Sequence, residues 1–197
     1  MRLFVLTRHG ETILNVERRV NGDPAVAVPL TERGEEESRR LGEQVAHLPL
    51  EVCVHTRFPR TRATAEIALS ERDDVPFLVE PLLDDIRIGD FDGAPLAEYR
   101  AWKHEHARGD PFPGGESLDD AARRYAEALR HLLAGPHGCV LVVCHEIPVR
   151  YALNGAAGSD SLDGPAHEIS NAVPYLFDDE ALERAVRGIE RAVNIAT

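Results

Sequence analysis

Five apolar runs punctuate the chain: Leu3–Thr7, Val52–Thr56, Val75–Val79, Val140–Cys144 and Val173–Phe177. None alternates apolar with polar residues, so each reads as a short strand buried on both faces. The charged stretches between them carry helical spacing. Thr31–Leu48 places Leu41, Val45 and Leu48 on one side, and Pro59–Leu69 is alanine-rich and opens on proline, a good first-turn residue. Pro95–Ala107 is a further helix. Ser117–Ala134 begins on a capping serine and aligns Ala122, Tyr125, Leu129 and Leu132. Ile147–Leu153 and Glu180–Val193 complete the set. Strands alternating with helices predict an α/β fold, a three-layer α/β/α sandwich around a mainly parallel central sheet. Turn-rich segments at Asn21–Pro29, Gly109–Gly115 and Gly155–Pro165 join elements rather than domains. Residues 1–197 are therefore expected to form a single domain.

Composition narrows the function classes. With 22 Lys and Arg against 34 Asp and Glu, the net charge is −12. Such a chain repels nucleic-acid phosphates and anionic membrane surfaces, so neither is an expected partner. Cys53, Cys139 and Cys144 are odd in number and widely spaced, which predicts free thiols in a reducing compartment. The apolar stretch Leu3–Leu6 is too short for a signal-peptide core, and a cytoplasmic location is expected.

The chemistry-bearing residues gather where strands end. The first run leads into Arg8-His9-Gly10-Glu11-Thr12, and Val140–Cys144 leads into His145-Glu146. Open α/β sheets bind ligands beyond the carboxyl ends of their strands. The second run is followed by Arg57, Arg60 and Arg62, with Arg60 at a helix start, where free N–H groups favour an anion. Two histidines and several arginines suit a phosphoryl group. They do not suit a metal, because arginine repels cations.

These residues resemble the histidine phosphatase superfamily, the phosphoglycerate mutase-like family. The resemblance rests on Arg8-His9-Gly10-Glu11-Thr12, Asn15, Arg19-Val-Asn-Gly22, Pro29-Leu-Thr-Glu-Arg-Gly34, Arg60 before Thr64-Ala65, Gly114-Gly-Glu-Ser117 and His145, in family order. It implies a phosphoglycerate mutase-like fold and a phosphohistidine formed on His9. Arg8, Arg60 and His145 would hold the phosphoryl oxygens and Asn15 would add a hydrogen bond. No metal and no cofactor are implied. Three positions depart from the family pattern. Asp85, in Leu83-Asp-Asp-Ile-Arg-Ile-Gly89, stands where the general-acid glutamate is usual, with Asp84 and Glu80 as spare candidates. Glu146 stands where glycine is common. A carboxylate there would repel phosphate if aimed inward, so it is expected to point out. His55-Thr56-Arg57 replaces Ser-Ser-Pro, and His55 or Arg57 could add substrate contacts.

The expected catalytic set is His9, Asp85, His145, Arg8 and Arg60, and the substrate-binding set is Arg8, Asn15, Arg60, His145 and Glu146. The implied activity is metal-independent hydrolysis of small phosphate monoesters. A cofactor-dependent phosphoglycerate mutase and a non-catalytic phospho-ligand-binding protein are the alternatives. The partner is a small phosphorylated substrate; a homodimer is compatible with an α/β enzyme of this size. Glu11 and Thr12 read as turn-stabilising. Lys103, His104, His106 and Arg108, near Tyr99 and Trp102, read as a solvated helix face; the alternative, implied by the resemblance, is contact with the leaving group, whose pocket is expected around Asn21–Val28 and Tyr99–Pro113. His47, His131, His137 and His167 carry no functional claim.

Overall fold

The computed structural model describes residues 2–195, with the side chain of Ile195 excepted. Met1, Ala196 and Thr197, the ends of the expected 1–197 domain, lie outside the described residues. Along the chain run β1 (Leu3–Arg8), α1 (Ile13–Val16), α2 (Glu32–Val45), β2 (Val52–His55), α3 (Pro59–Ala68), β3 (Phe77–Val79), α4 (Leu96–Glu105), α5 (Leu118–Ala134), β4 (Cys139–Cys144), α6 (Glu146–Ala156), β5 (Tyr175–Asp178) and α7 (Asp179–Ile195). Short 3-10 turns at Pro81–Leu83 and Gly89–Phe91 link β3 to α4.

The strands form one sheet in the order β3-β2-β4-β1-β5, and only β5 runs antiparallel to its neighbour. Side chains alternate across this sheet. Phe4, Leu6, Val52, Val54, Val140, Val142 and Cys144 pack with α5, α6 and α7 through residues such as Tyr125, Leu129, Val149 and Leu182. Val5, Cys53, Cys139, Leu141 and Val143 pack with Leu41 and Val45 of α2 and Ala65 and Ala68 of α3. This is the expected three-layer sandwich. All three cysteines are free and buried, and burial pushes the thiols of Cys53 and Cys144 up to about 12.

Two of the expected buried strands differ. β3 is three residues long, begins at Phe77 rather than Val75, and is exposed along its length. β5 starts at Tyr175 rather than Val173 and leaves Leu176 exposed. Both occupy sheet edges, where a neighbouring strand is missing and one apolar run looks like another in sequence. Caps behave as their residues dictate: Thr31, Ser117 and Thr12 each accept a backbone N–H at the starts of α2, α5 and α1.

Register brings the chemistry together. Arg8 pairs with Cys144, His55 with Val143, and His9 N–H extends the ladder by donating to the Cys144 carbonyl at 3.0 Å. The turn after β1 then packs backbone to backbone on the start of α2. A Cβ at Gly34 would stand 2.0 Å from the Glu11 carbonyl oxygen, and one at Gly10 would stand 2.4 Å from the Gly34 oxygen. Only glycine permits this approach.

Candidate active site

His9 is 3% exposed. Its Nδ1 lies 2.8 Å from the Gly10 carbonyl oxygen, which can only accept, so Nδ1 carries the proton. Nε2 is left as a lone pair, and Arg60 Nε donates to it at 3.0 Å. Burial, then the positive charges of Arg60 and Arg8, hold the His9 pKa well below that of an ordinary histidine. The ring is therefore neutral, with one nucleophilic nitrogen facing the arginine.

His145 is fully buried and caps β4 beside it, the two rings 5.5 Å apart between centroids. A hydroxyl chain fixes its tautomer. Thr61 Oγ1 donates to the Phe58 carbonyl (2.8 Å), which leaves it to accept from Thr56 Oγ1 (2.9 Å). Thr56 in turn accepts from His145 Nε2–H at 3.0 Å. Nδ1 thus turns to the site as an acceptor, 3.2 Å from Arg60 Nη2 and 3.5 Å from Asp85 Oδ2. Burial, followed by Arg60 and His9, lowers the His145 pKa as well.

Arg60, 5% exposed at the first turn of α3, connects these groups. Besides His9 it reaches Asn21 Oδ1 (2.6 Å) and the Asn21 carbonyl (3.2 Å), and Nη2 donates to Asp85 Oδ2 at 3.0 Å. Its Cζ lies 4.2 Å from the centroid of the Phe58 ring. Gly22 allows the Asn21 loop to approach: a Cβ there would be 2.3 Å from the Ile86 carbonyl. Asp85 also accepts from Ile86 N–H at 3.0 Å. Burial raises its pKa against the opposing pull of Arg60, the Ile86 N–H and Arg8. The backbone around Asp85 is clamped by Arg124 of α5, which donates to the carbonyls of Leu82, Asp84 and Asp85 and to Glu116.

Arg8 donates through Nη1 to the Ile169 carbonyl at 2.9 Å, while its buried Nε, like that of Arg150, has no hydrogen-bond partner among the described residues. An unmatched buried guanidinium donor is costly in a protein interior and is what an anion would satisfy. Asn171 donates to the His9 carbonyl (2.8 Å) and Ala172 N–H to that of Arg8 (2.9 Å), bracing this strand end from the segment before β5. Arg8, His9, Asn15, Arg60, Asp85 and Glu146 line one cavity of about 520 Å³. His145 sits directly beneath it, through its contacts with Arg60 and Asp85. Asn15 spends its Oδ1 on the Thr12 cap (2.9 Å from the backbone N), leaving its amide Nδ2 as the donor end.

Several expectations are corrected here. Glu146 does not point out. Its carboxylate lines the cavity, 3.3 Å from Arg8 Nη1 and 3.1 Å from Arg150 Nη1, because the two cations draw it in. His55 bonds to the Thr56 carbonyl and packs on Phe77, and Arg57 pairs with Asp84 at 2.6 Å; neither lines the cavity. Asp84 is thereby committed to Arg57, and Glu80 caps Leu82 N–H and faces His131, so neither spare acid reaches the site. The basic cluster is not a simple solvated face. Lys103 and Tyr99 line the cavity, Arg108 pairs with Asp119 and Asp163, and His106 stacks on Trp102. His167 also lines the cavity, as do Asn21 and Arg150. Asn21 lies one residue before Gly22 in a motif already noted, and Arg150 stands four residues after Glu146 on α6. Arg124 left no sequence signal, since it acts on backbone carbonyls.

A sequence profile of the histidine phosphatase superfamily, branch 1, matches residues 4–187. The 2,3-bisphosphoglycerate-dependent phosphoglycerate mutase 2 of Gloeobacter violaceus is 32% identical, the match covering 92% of this chain and 87% of that protein. Among solved structures, YhfR of Bacillus stearothermophilus superposes with a TM-score of 0.79 at 28% identity, covering 89% of this chain and 90% of its own. The mycobacterial glucosyl-3-phosphoglycerate phosphatase gives a TM-score of 0.75 at 23% identity, over 90% of this chain and 93% of that one, a likeness of fold. The chain therefore belongs to the histidine phosphatase superfamily, branch 1.

Proposed function

We propose that this protein is a metal-independent phosphomonoesterase working through a phosphohistidine on His9. The observation that carries the reading is the locked tautomer of His9, with a lone pair on Nε2 held against the Arg60 guanidinium inside a cavity. His9 Nε2 attacks phosphorus in line, the N–P bond forms and the P–O ester bond breaks. Arg8 and Arg60 meet the charge that grows on the equatorial oxygens. His145 Nδ1, a lone pair facing the site, accepts from Arg60 Nη2 and so holds that guanidinium toward the equatorial oxygens. Asp85, whose pKa burial raises, acts in its protonated form and gives its proton to the departing alkoxide. Water then attacks the phosphohistidine and returns a proton to Asp85, releasing orthophosphate and neutral His9. The arginines supply the positive charge that a metal would otherwise bring.

The 32% identity to a phosphoglycerate mutase supports a second reading, in which the phosphoryl group returns to an acceptor rather than to water. Rapid quench with an aryl phosphate separates the readings. A base-stable, acid-labile phosphoenzyme and released phosphate are expected, and both are lost in His9→Ala, with turnover falling at least about 10³-fold. Isomerisation of 3-phosphoglycerate without phosphate release would favour the mutase, and wild-type turnover in His9→Ala would end the proposal.

A further inference from the structure

We propose that Glu146 sets the substrate class of this cavity, selecting phosphomonoesters of neutral, hydroxylated alcohols over those bearing a carboxylate beside the ester. This rests on the phosphatase reading above and extends it to the leaving group.

The argument is one of charge matching along a single wall. Glu146 opens α6 next to His145, and its two oxygens reach Arg8 Nη1 at 3.3 Å and Arg150 Nη1 at 3.1 Å. Arg150 Nη2 in turn meets Asp163 at 3.2 Å, and Asp163 also holds Arg108 and, at 3.9 Å, Lys103. Arg108 has a second acid in Asp119 at 3.1 Å. Each cation on this side is thus already faced by a carboxylate. The remaining cavity-lining arginines, Arg18, Arg19 and Arg100, have no acid partner among the described residues, but all three are exposed at the rim.

Asp85 and Lys103 line the same cavity as Glu146. An alcohol leaving from Asp85 must pass beside it. A carboxylate on the carbon next to the ester would meet a like charge, and the neighbouring Arg8 and Arg150, although each keeps an unpartnered Nε, already face that charge across ion pairs; like charges in a partly buried cavity repel strongly. A hydroxyl at the same place can donate to the Glu146 carboxylate, which still has lone pairs to accept it. Repulsion of the wrong ligand is as effective a source of selectivity as attraction of the right one. The alternative role, a first-turn acid that stabilises the helix N-terminus and pairs with Arg150 four residues on, makes no distinction between substrates.

Glycerol 3-phosphate and 3-phosphoglycerate form a suitable pair of probes, since they differ in a hydroxymethyl group against a carboxylate. Each is added as a competitor of aryl phosphate hydrolysis by the wild type, Glu146→Gln, Glu146→Gly and Glu146→Asp, and the ratio of the two inhibition constants is read. The wild type is expected to favour glycerol 3-phosphate. Glu146→Gln and Glu146→Gly shift the ratio toward 3-phosphoglycerate by about tenfold or more, the effect of removing one close unit charge, while Glu146→Asp keeps the wild-type order. A ratio that stays within about twofold in Glu146→Gln, a wild type that favours 3-phosphoglycerate, or failure of both compounds to compete overturns the proposal. Aryl phosphate turnover through phosphohistidine with an unchanged ratio removes the role of Glu146 alone. Absence of the phosphoenzyme removes the reaction on which it rests.

Discussion

The floor and the wall of the cavity are built on different principles. The floor consists of the ends of β1, β2 and β4 with the first turn of α3. His9, Thr56, Arg60 and His145 there are all buried, and the two rings have their proton positions fixed by carbonyl and hydroxyl partners. The wall comes from α4, α6 and the segment before β5. It presents Lys103, Glu146 and the buried Arg150 to the cavity, and Asp163 and Arg108, outside the lining, tie them into a chain of ion pairs. Backbone register sets the floor, so it can hold a reacting phosphorus in fixed geometry. Side-chain charge sets the wall, so it can be retuned by single substitutions without disturbing the sheet. On the proposed reading, reaction type belongs to the first region and substrate choice to the second.

The largest expected effect breaks the floor. Arg60→Ala removes the donor aimed at His9 Nε2 and at the phosphoryl oxygens, and kcat/KM for an aryl phosphate should fall by about 10²–10³-fold with the fold retained. Arg60→Lys should not rescue it, because one ammonium cannot reach His9, Asn21 and Asp85 together. A lysine variant with wild-type kinetics would make Arg60 a mere point charge.

Next in size, Asp85→Asn should cost about 10²-fold on alkyl phosphates, whose alkoxides need a proton, and far less on aryl phosphates with good leaving groups. The pH profile sharpens this. In the proposed mechanism the reactive state has His9 neutral and Asp85 protonated. The His9 pKa is lowered, so kcat/KM persists as pH falls below 6.5 and declines only when the ring finally protonates. The Asp85 pKa is raised above 3.8, so the alkaline limb lies above the ordinary carboxylate range. An alkyl-phosphate profile in Asp85→Asn should lose that alkaline limb and keep the acid one; retention of both would move the proton donor elsewhere.

The smallest effect touches the wall. Asp163 is one-third exposed, and its ion pairs with Arg150 and Lys103 are screened. Asp163→Asn should therefore lower stability by about 1 kcal/mol or less, measured by thermal or urea unfolding. A loss of several kcal/mol would show that the wall is as rigid as the floor.

Much of the floor was legible in the residues before any fold was known. Apolar runs that end on Arg8-His9 and on His145 announce ligand-binding strand ends, and Thr31, Ser117 and Pro59 mark the helix starts that follow. The edge positions of β3 and β5 were not legible, because an apolar run carries the same signature whether one neighbour flanks it or two. Nor were the directions of Glu146, His55 and Arg57. Each depended on partners distant along the chain or on another element: Arg8 lies far from Glu146 in sequence, Phe77 packs on His55, and Asp84 captures Arg57.

Sequence by itself determined which side chains stand at the ends of which strands, because alternation, caps and apolar runs are local and fixed by backbone geometry. Only the tertiary structure decided which nitrogen of each histidine carries the proton, which acid reaches Arg60, and which cations are left for a ligand. Those outcomes follow from distances of about 3 Å, set for His9 Nδ1 by how the chain turns at Gly10 and for the rest by groups tens of residues apart, where hydrogen bonding and desolvation act and sequence order carries no information.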